Sequence, residues 1–184
     1  TLKYTMKAFS SFILFRLFGW KLINDFPQDI KKYLVIAAPH TSWMDFPIAI
    51  LARMASGTMI NFIGKGSLFK GPFGFIFRLL GGIPVDRSQN NNLVDSIVAL
   101  FNSKEDFRLG LSPEGTRKKV AKWKTGFYYI AKGANVPVVM ASLDFGNKQI
   151  KISKAYTITD NKEADFTYFH AFFSQVKGKN PNQF

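Results

Sequence analysis

The sequence predicts an α/β fold, with a mostly parallel central sheet flanked by helices, an apolar N-terminal helix and a C-terminal helix. Two observations carry this prediction. Short apolar runs alternate with helix-like runs through the middle of the chain. Four of those apolar runs end in loops that carry polar or charged residues, as strands of parallel sheets commonly do. A chain of 184 residues suits one domain with a buried core.

The elements follow from apolar periodicity and from turn residues. The predicted strands cover residues 33–38, 59–63, 81–85, 107–111, 136–143 and 149–153. The predicted helices cover residues 45–55, 75–80, 93–102, 123–132 and 163–176. The run 136–143 is the most apolar and is predicted to be central, and the turn at Gly146 and Asn147 predicts an edge hairpin strand after it. Residues 24–32 are predicted to be a linker, and residues 177–184 to be disordered.

The stretch 8–20 is apolar almost all round and is flanked by Lys3, Lys7 and Lys21. Its length of about 13 residues is too short to cross a bilayer, which needs about 20. Two interpretations stand: a core helix, or a helix lying in the membrane interface with its cations at headgroup level. We favour the second. We therefore divide the chain into a membrane-interface helix and linker over residues 1–26 and a main domain over residues 27–184.

The composition predicts anionic partners. The chain has 25 Lys and Arg against 12 Asp and Glu, a net charge of +13, together with 20 Phe. Such a chain suits an anionic bilayer surface. It also suits single-stranded nucleic acid, but the sequence has no recognised nucleic-acid motif and its Phe residues lie in apolar runs. The absence of Cys excludes disulfides and thiolate chemistry, and no cluster has metal-ligand spacing.

A histidine and an aspartate lie in the loop after the first central strand. Four residues separate His40 from Asp45, and Asp45 stands where the next helix begins. If the loop folds back, the carboxylate can hydrogen-bond one imidazole nitrogen and leave the other as a base for a hydroxyl. This spacing alone is also compatible with a structural histidine. His170, on the apolar face of the last helix, is predicted to be a packing residue.

Three further strands end near cations or a carboxylate. They are followed by Lys65 in a glycine-rich loop, by Arg87, and by Glu114 with Arg117. The ends of parallel strands meet at one edge of the sheet, so we expect these side chains near His40. No Ser or Cys nucleophile is coupled to that histidine. The residues therefore predict direct transfer, in which His40 deprotonates an alcohol that attacks an activated acyl carbon.

These residues resemble the glycerolipid acyltransferase superfamily, and most closely bacterial 1-acyl-sn-glycerol-3-phosphate acyltransferases, from about residue 35 to residue 142. The His-x4-Asp motif is present at residues 40–45, and the Glu-Gly-Thr-Arg motif is intact as Glu114, Gly115, Thr116 and Arg117. The Lys-x-Glu-Leu motif is present at residues 65–68, with Ser67 in place of its Glu. The arginine motif lies at residues 82–87 and the closing apolar-proline motif at residues 136–139.

The resemblance implies a role for each matching residue. His40 would be the general base, oriented by Asp45, with no covalent enzyme intermediate. Lys65, Arg87 and the motif of Glu114, Gly115, Thr116 and Arg117 would bind the acceptor and its phosphate, with Glu114 positioning Arg117 or the glycerol. No cofactor is expected. The acyl donor would be a thioester of coenzyme A or of acyl carrier protein, which makes the carrier protein a candidate partner beside membrane lipids.

The implied location is the cytoplasmic face of a bacterial inner membrane, with the enzyme bound monotopically. Two rival functions stay open at this point. The first is an O-acyltransferase for a lyso-aminolipid or another hydroxyl acceptor, which the Ser67 departure allows. The second is a non-enzyme that binds nucleic acid or an anionic membrane.

Overall fold

The predicted α/β fold is confirmed by the computed structural model, which describes residues 2–85 and 90–183. The strands are β1 Lys21–Ile23, β2 Lys32–Ala38, β3 Asn61–Lys65, β4 Gly82–Val85, β5 Phe107–Leu111, β6 Val138–Asp144 and β7 Gln149–Ile152. The α-helices are α1 Leu2–Ser11, α2 Asp45–Ser56, α3 Gly74–Leu79, α4 Asn90–Asn102, α5 Gly126–Gly133 and α6 Lys162–Phe173.

One seven-stranded sheet has the order β1-β7-β6-β2-β5-β3-β4. The pairing of β6 with β7 is antiparallel and every other pairing is parallel. Strand β2 lies in the middle of this order, and β6, which we expected to be central, lies beside it. Both strands are apolar runs buried on both faces, as strands of parallel sheets are.

The strand order fixes which helices share a face. The crossovers from β2 to β3 and from β3 to β4 run in one direction along the sheet, and those from β4 to β5 and from β5 to β6 run back. Because such crossovers are right-handed, α2 and α3 lie on one face, and α4 and α5 on the other. The ring of Phe77 in α3 indeed lies 6.2 Å from that of Phe46 in α2.

Alternate residues of β2 supply the two cores. Leu34 and Ile36 pack with the α4–α5–α6 layer, including Phe169 of α6. Tyr33 and Val35 pack with α2 and with the N-terminal segment on the opposite side. We call this second side the α1–α2–α3 layer.

The predicted N-terminal helix over residues 8–20 has different bounds. Helix α1 ends at Ser11, a π-helical stretch follows over Phe12–Leu17, and β1 follows that. Leu14 and Trp20 are buried in the core beside α2, so this segment is continuous with the core of the main domain. No helix in the described ranges is both long enough and apolar enough to cross a bilayer.

Two further predictions were wrong. The hairpin of β6 and β7 is present, but β7 is not an edge strand, because β1 pairs with its outer side in parallel. The sequence did not reveal β1, because its three residues are too few to show the apolar alternation of a strand. The tail predicted to be disordered is placed as far as residue 183, with a 3-10 turn over Pro181–Gln183 and contacts to the site.

Candidate active site

The central loop of the site starts where β2 ends. Ala38 is the last residue of β2 and pairs with Ser142 of β6, while β5 lies on the other side of β2. Two neighbouring strands therefore fix the position from which the loop departs. His40 lies two residues further on, and Asp45 is the first residue of α2.

Asp45 holds both the loop and the imidazole ring. Its Oδ2 atom accepts hydrogen bonds from the backbone N–H groups of Thr41, at 2.8 Å, and Ser42, at 2.9 Å. The same oxygen lies 3.0 Å from Nδ1 of His40. Since Nδ1 is thereby the protonated nitrogen of a neutral ring, Nε2 is the basic one. The contact predicted from the spacing is present.

The environments of the two side chains suit a base with an orienting carboxylate. The side chain of His40 is 28% exposed, whereas that of Asp45 is buried. The second carboxylate oxygen, Oδ1, is buried and makes no hydrogen bond within the described part of the chain. A buried carboxylate attracts a neighbouring imidazolium more strongly than one in water does. Asp45 can therefore stabilise the charge that His40 acquires when it takes a proton.

Glu114, in the loop that follows the neighbouring strand β5, holds the His40 loop in place. Its Oε2 atom accepts hydrogen bonds from the backbone N–H of His40, at 2.7 Å, and from the hydroxyl of Ser112, at 3.0 Å. Burial raises the pKa of Glu114 above its usual value, and the two hydrogen bonds oppose that shift. We expected Glu114 to position Arg117 or the acceptor glycerol. In the structure its carboxylate binds the backbone N–H of His40 and so positions the His40 loop.

The C-terminal tail contributes residues that the sequence did not reveal. Thr41 Oγ1 accepts a hydrogen bond from the backbone N–H of Asn180, and the Thr41 carbonyl accepts one from the Asn180 side-chain amide at 2.8 Å. The Gln183 amide, oriented as its neighbours require, donates to the carbonyls of Thr41 and Arg117. A Cβ atom at Gly178 would lie 2.6 Å from Thr41 Oγ1, so the chain passes too close for a side chain. The tail thus links two of the motifs.

The other predicted site residues that the structure describes follow strands β3 and β5 at the same edge. Lys65 is exposed at the carboxyl end of β3, which is next to β5 in the sheet. Gly115 has a φ of +66°, a conformation that favours glycine, and it turns the chain after Glu114. Thr116 Oγ1 accepts a hydrogen bond from the backbone N–H of Lys118, and Arg117 is exposed. Arg87 lies outside the described residues, just beyond β4.

His170 contacts aromatic rings, as predicted for a packing residue, although it is itself exposed. Its ring lies 4.3 Å from that of Trp123, centroid to centroid. Both residues line a cavity of about 710 Å³ that reaches Glu114 and Gln183. The second histidine of the chain therefore belongs to a wall next to the site, and the described structure pairs it with no carboxylate.

The arrangement can accept a proton from a hydroxyl. It offers an imidazole nitrogen held by a buried carboxylate, cations on neighbouring loops and a backbone fixed by two strands and the tail. These are the parts that a general base and an anion-binding edge require.

A model of the Acyltransferase family matches residues 21–143, which include β1 to β5 and all of β6 except its last residue. The fold is similar to the crystal structure of the 1-acyl-sn-glycerophosphate (LPA) acyltransferase PlsC from Thermotoga maritima, with a TM-score of 0.63 and 22% sequence identity. That similarity covers 92% of this chain and 76% of that one. No curated protein matched the sequence. The family match covers well over half of the residues, and it shows that the chain belongs to the Acyltransferase family and is an acyltransferase.

Proposed function

We propose that this acyltransferase transfers an acyl chain from a thioester to the free hydroxyl of a lyso-glycerolipid, with 1-acyl-sn-glycerol-3-phosphate as the acceptor and phosphatidic acid as the product. The observation that carries the proposal is the 3.0 Å contact between His40 Nδ1 and Asp45 Oδ2, which leaves Nε2 as a base at the edge where Lys65 and Arg117 also lie. The fold shared with PlsC supports the choice of acceptor.

The proposed reaction is a single displacement on the thioester. Nε2 of His40 takes the hydroxyl proton as the acceptor oxygen attacks the thioester carbonyl carbon. The carbon–sulfur bond then breaks, and the leaving thiolate takes the proton from the imidazolium. Asp45 stabilises the imidazolium in between. The donor in this proposal is a thioester of coenzyme A or acyl carrier protein, and the reaction needs no cofactor.

The test of the base is His40→Ala. We expect kcat to fall by about 10²–10⁴-fold, the usual contribution of a general base. Folding should be nearly unchanged, because the imidazole is part-exposed and its removal leaves the bonds of Asp45 to Thr41 and Ser42 in place. Circular dichroism and thermal unfolding provide that control. Near-normal turnover in a folded His40→Ala protein would contradict the mechanism.

A lyso-aminolipid is the second candidate acceptor, because Ser67 replaces the Glu of the Lys-x-Glu-Leu motif. Substitutions of Arg117 can distinguish the two acceptors. The planar guanidinium of Arg binds a phosphomonoester better than the ammonium group of Lys does. If lysophosphatidic acid is the acceptor, Arg117→Ala should mainly raise its KM and Arg117→Lys should restore it only in part. An unchanged KM for lysophosphatidic acid, with turnover of the lyso-aminolipid, would favour the second acceptor.

The proposed place of action is the cytoplasmic surface of a bacterial inner membrane. Helix α1 and the π-helical stretch after it have an exposed apolar side that includes Phe9 and Phe12, while Leu14 points into the core. A chain with a net charge of +13 is attracted to anionic lipids. This supports a protein that lies on the bilayer and takes its acceptor from it.

A further inference from the structure

We propose that the protein has a second lipid-contacting element, the segment from Gly66 to Leu79, so that the bilayer covers the whole α1–α2–α3 layer and not the N-terminal helix alone. This segment contains the 3-10 turn Gly66–Phe69 and helix α3. The inference rests on the proposed function, because it concerns how a membrane-held acceptor reaches the site. It commits to an anionic lipid surface as the occupant.

The exposed apolar side chains are distributed unevenly between the two layers. Within the described ranges, the large apolar side chains exposed on the α4–α5–α6 side are Tyr129 of α5, Tyr168 of α6 and Ile23 of β1. Ile23 faces this side because its register partner, Lys151, lies over the ring of Phe172 in α6. The others lie on α1 and the stretch after it, in the loops around α2, and on the segment 66–79. A soluble protein seldom collects its exposed apolar groups on one side unless something covers that side.

Helix α3 is apolar on its outer as well as its inner side. Phe77 points inward, where it contacts the rings of Phe46 and Phe69. On the outer side, Phe75 is 65% exposed and Leu79 is 79% exposed. A surface helix in water normally carries polar residues there. An outer side of Phe and Leu is instead typical of a helix that lies in a membrane interface.

The neighbouring charges are those that an anionic headgroup region attracts. Residues 61–85 contain no Asp or Glu. They contain three cations, Lys65, Lys70 and Arg78, all of them exposed. Arg78 also donates to the Phe69 carbonyl, which places its guanidinium at the border of the apolar surface. Apolar side chains with cations around them match the layering of an anionic bilayer surface.

The position of the segment supports the same occupant. It begins directly after Lys65, at the edge of the sheet where β2 and β5 end and the loops of His40 and Glu114 begin. Phe73 at 68% exposed and Trp43 in the His40 loop continue the apolar surface toward that edge. Because α1 and α3 both lie against α2, the two apolar elements can contact one bilayer together. An acceptor held in that bilayer would meet His40 at its surface.

The test is a double substitution, Phe75→Asp with Leu79→Asp, set against a matched control on the opposite layer, Tyr129→Asp with Tyr168→Asp. The probe is binding to vesicles of phosphatidylcholine with about 30% phosphatidylglycerol, measured by co-sedimentation without any substrate. We expect the Phe75/Leu79 variant to bind about 10–100-fold more weakly, because two large apolar side chains no longer enter the lipid. The control should bind as the unchanged protein does.

A second measurement separates lipid contact from damage to the fold. The Phe75/Leu79 variant should keep its turnover with a short-chain, water-soluble acceptor and lose it with acceptor held in vesicles. Equal vesicle binding by the two double variants would overturn the proposal. A second result would also overturn the proposal: light scattering shows a dimer that the Phe75/Leu79 changes dissociate, while vesicle binding persists. A second copy of the chain, and not the bilayer, would then cover this surface. If the Phe75/Leu79 changes weaken vesicle binding but the unchanged protein acylates no lysophospholipid, the lipid-contacting surface is supported and the proposed function is refuted.

Discussion

Thr41 is the residue through which distant parts of the chain contact the His40 loop. Its backbone N–H is bound by Asp45, and its carbonyl and hydroxyl are bound by the tail. Its own side chain is buried. His40 is therefore followed by a residue whose N–H, carbonyl and hydroxyl groups are all hydrogen-bonded, and this limits the movement of the loop that carries the imidazole.

Asn180 should accordingly act as a positioning residue. Asn180→Ala removes the side-chain donor to the Thr41 carbonyl and leaves the backbone bond to Thr41 Oγ1. We expect kcat to fall about 3–10-fold, the equivalent of one hydrogen bond, with little change in the KM of a short-chain acceptor. Steady-state kinetics measure both quantities.

The matched control for Asn180 is Asn182→Ala, an exposed neighbour in the same turn. It should leave kcat unchanged. A fall in thermal stability with unchanged kcat in the Asn180→Ala protein would give Asn180 a structural role only.

Glu114 should make stability depend on pH. Burial raises its pKa above 4.5 in the folded protein, so the folded state holds this proton more tightly than the unfolded state does. The stabilisation is complete below pH 4.5 and is lost as the pH rises through the raised value. In Glu114→Gln, which keeps an oxygen acceptor, this decrease should be absent. Chemical unfolding of both proteins at several pH values measures the difference, and parallel curves would contradict the assignment.

At the scale of elements, the N-terminal segment has one core side and one outward side. Leu14 and Trp20 are buried against α2, whereas Phe9 and Phe12 are exposed. The core interpretation therefore holds for Leu14 and Trp20, and the interfacial interpretation stays a prediction for the exposed side.

Phe9→Asp with Phe12→Asp should therefore weaken binding to anionic vesicles without unfolding the protein. The expected loss is about tenfold or more, since two aromatic rings would be withdrawn from lipid. Leu14→Ala provides the contrast: it should lower the free energy of unfolding by about 2–5 kcal/mol and leave vesicle binding intact. Vesicle binding that is indifferent to the Phe changes would mean that this side does not meet the bilayer.

At the scale of the whole molecule, the sequence predicted what depends on local pattern. The strands of the parallel sheet and the contact of His40 with Asp45 follow from apolar runs and from a spacing of a few residues. Strand β1 could not be predicted, because three residues are too few to show an apolar period and its partner β7 is far away in the chain. The contacts of Asn180 and Gln183 are also long-range, made by polar side chains to backbone carbonyls that any sequence offers.

The parallel pairing of β1 with β7 joins residues 128 positions apart in the chain. During synthesis, the apolar N-terminal segment is complete long before the strand that will fix it at the edge of the sheet. Until residue 152 has left the ribosome, β1 has no partner strand, although β2 and α2 can already pack against Leu14. Strand β7 therefore enters the sheet between β6 and the much earlier β1, and the sheet cannot be completed before synthesis has passed residue 152.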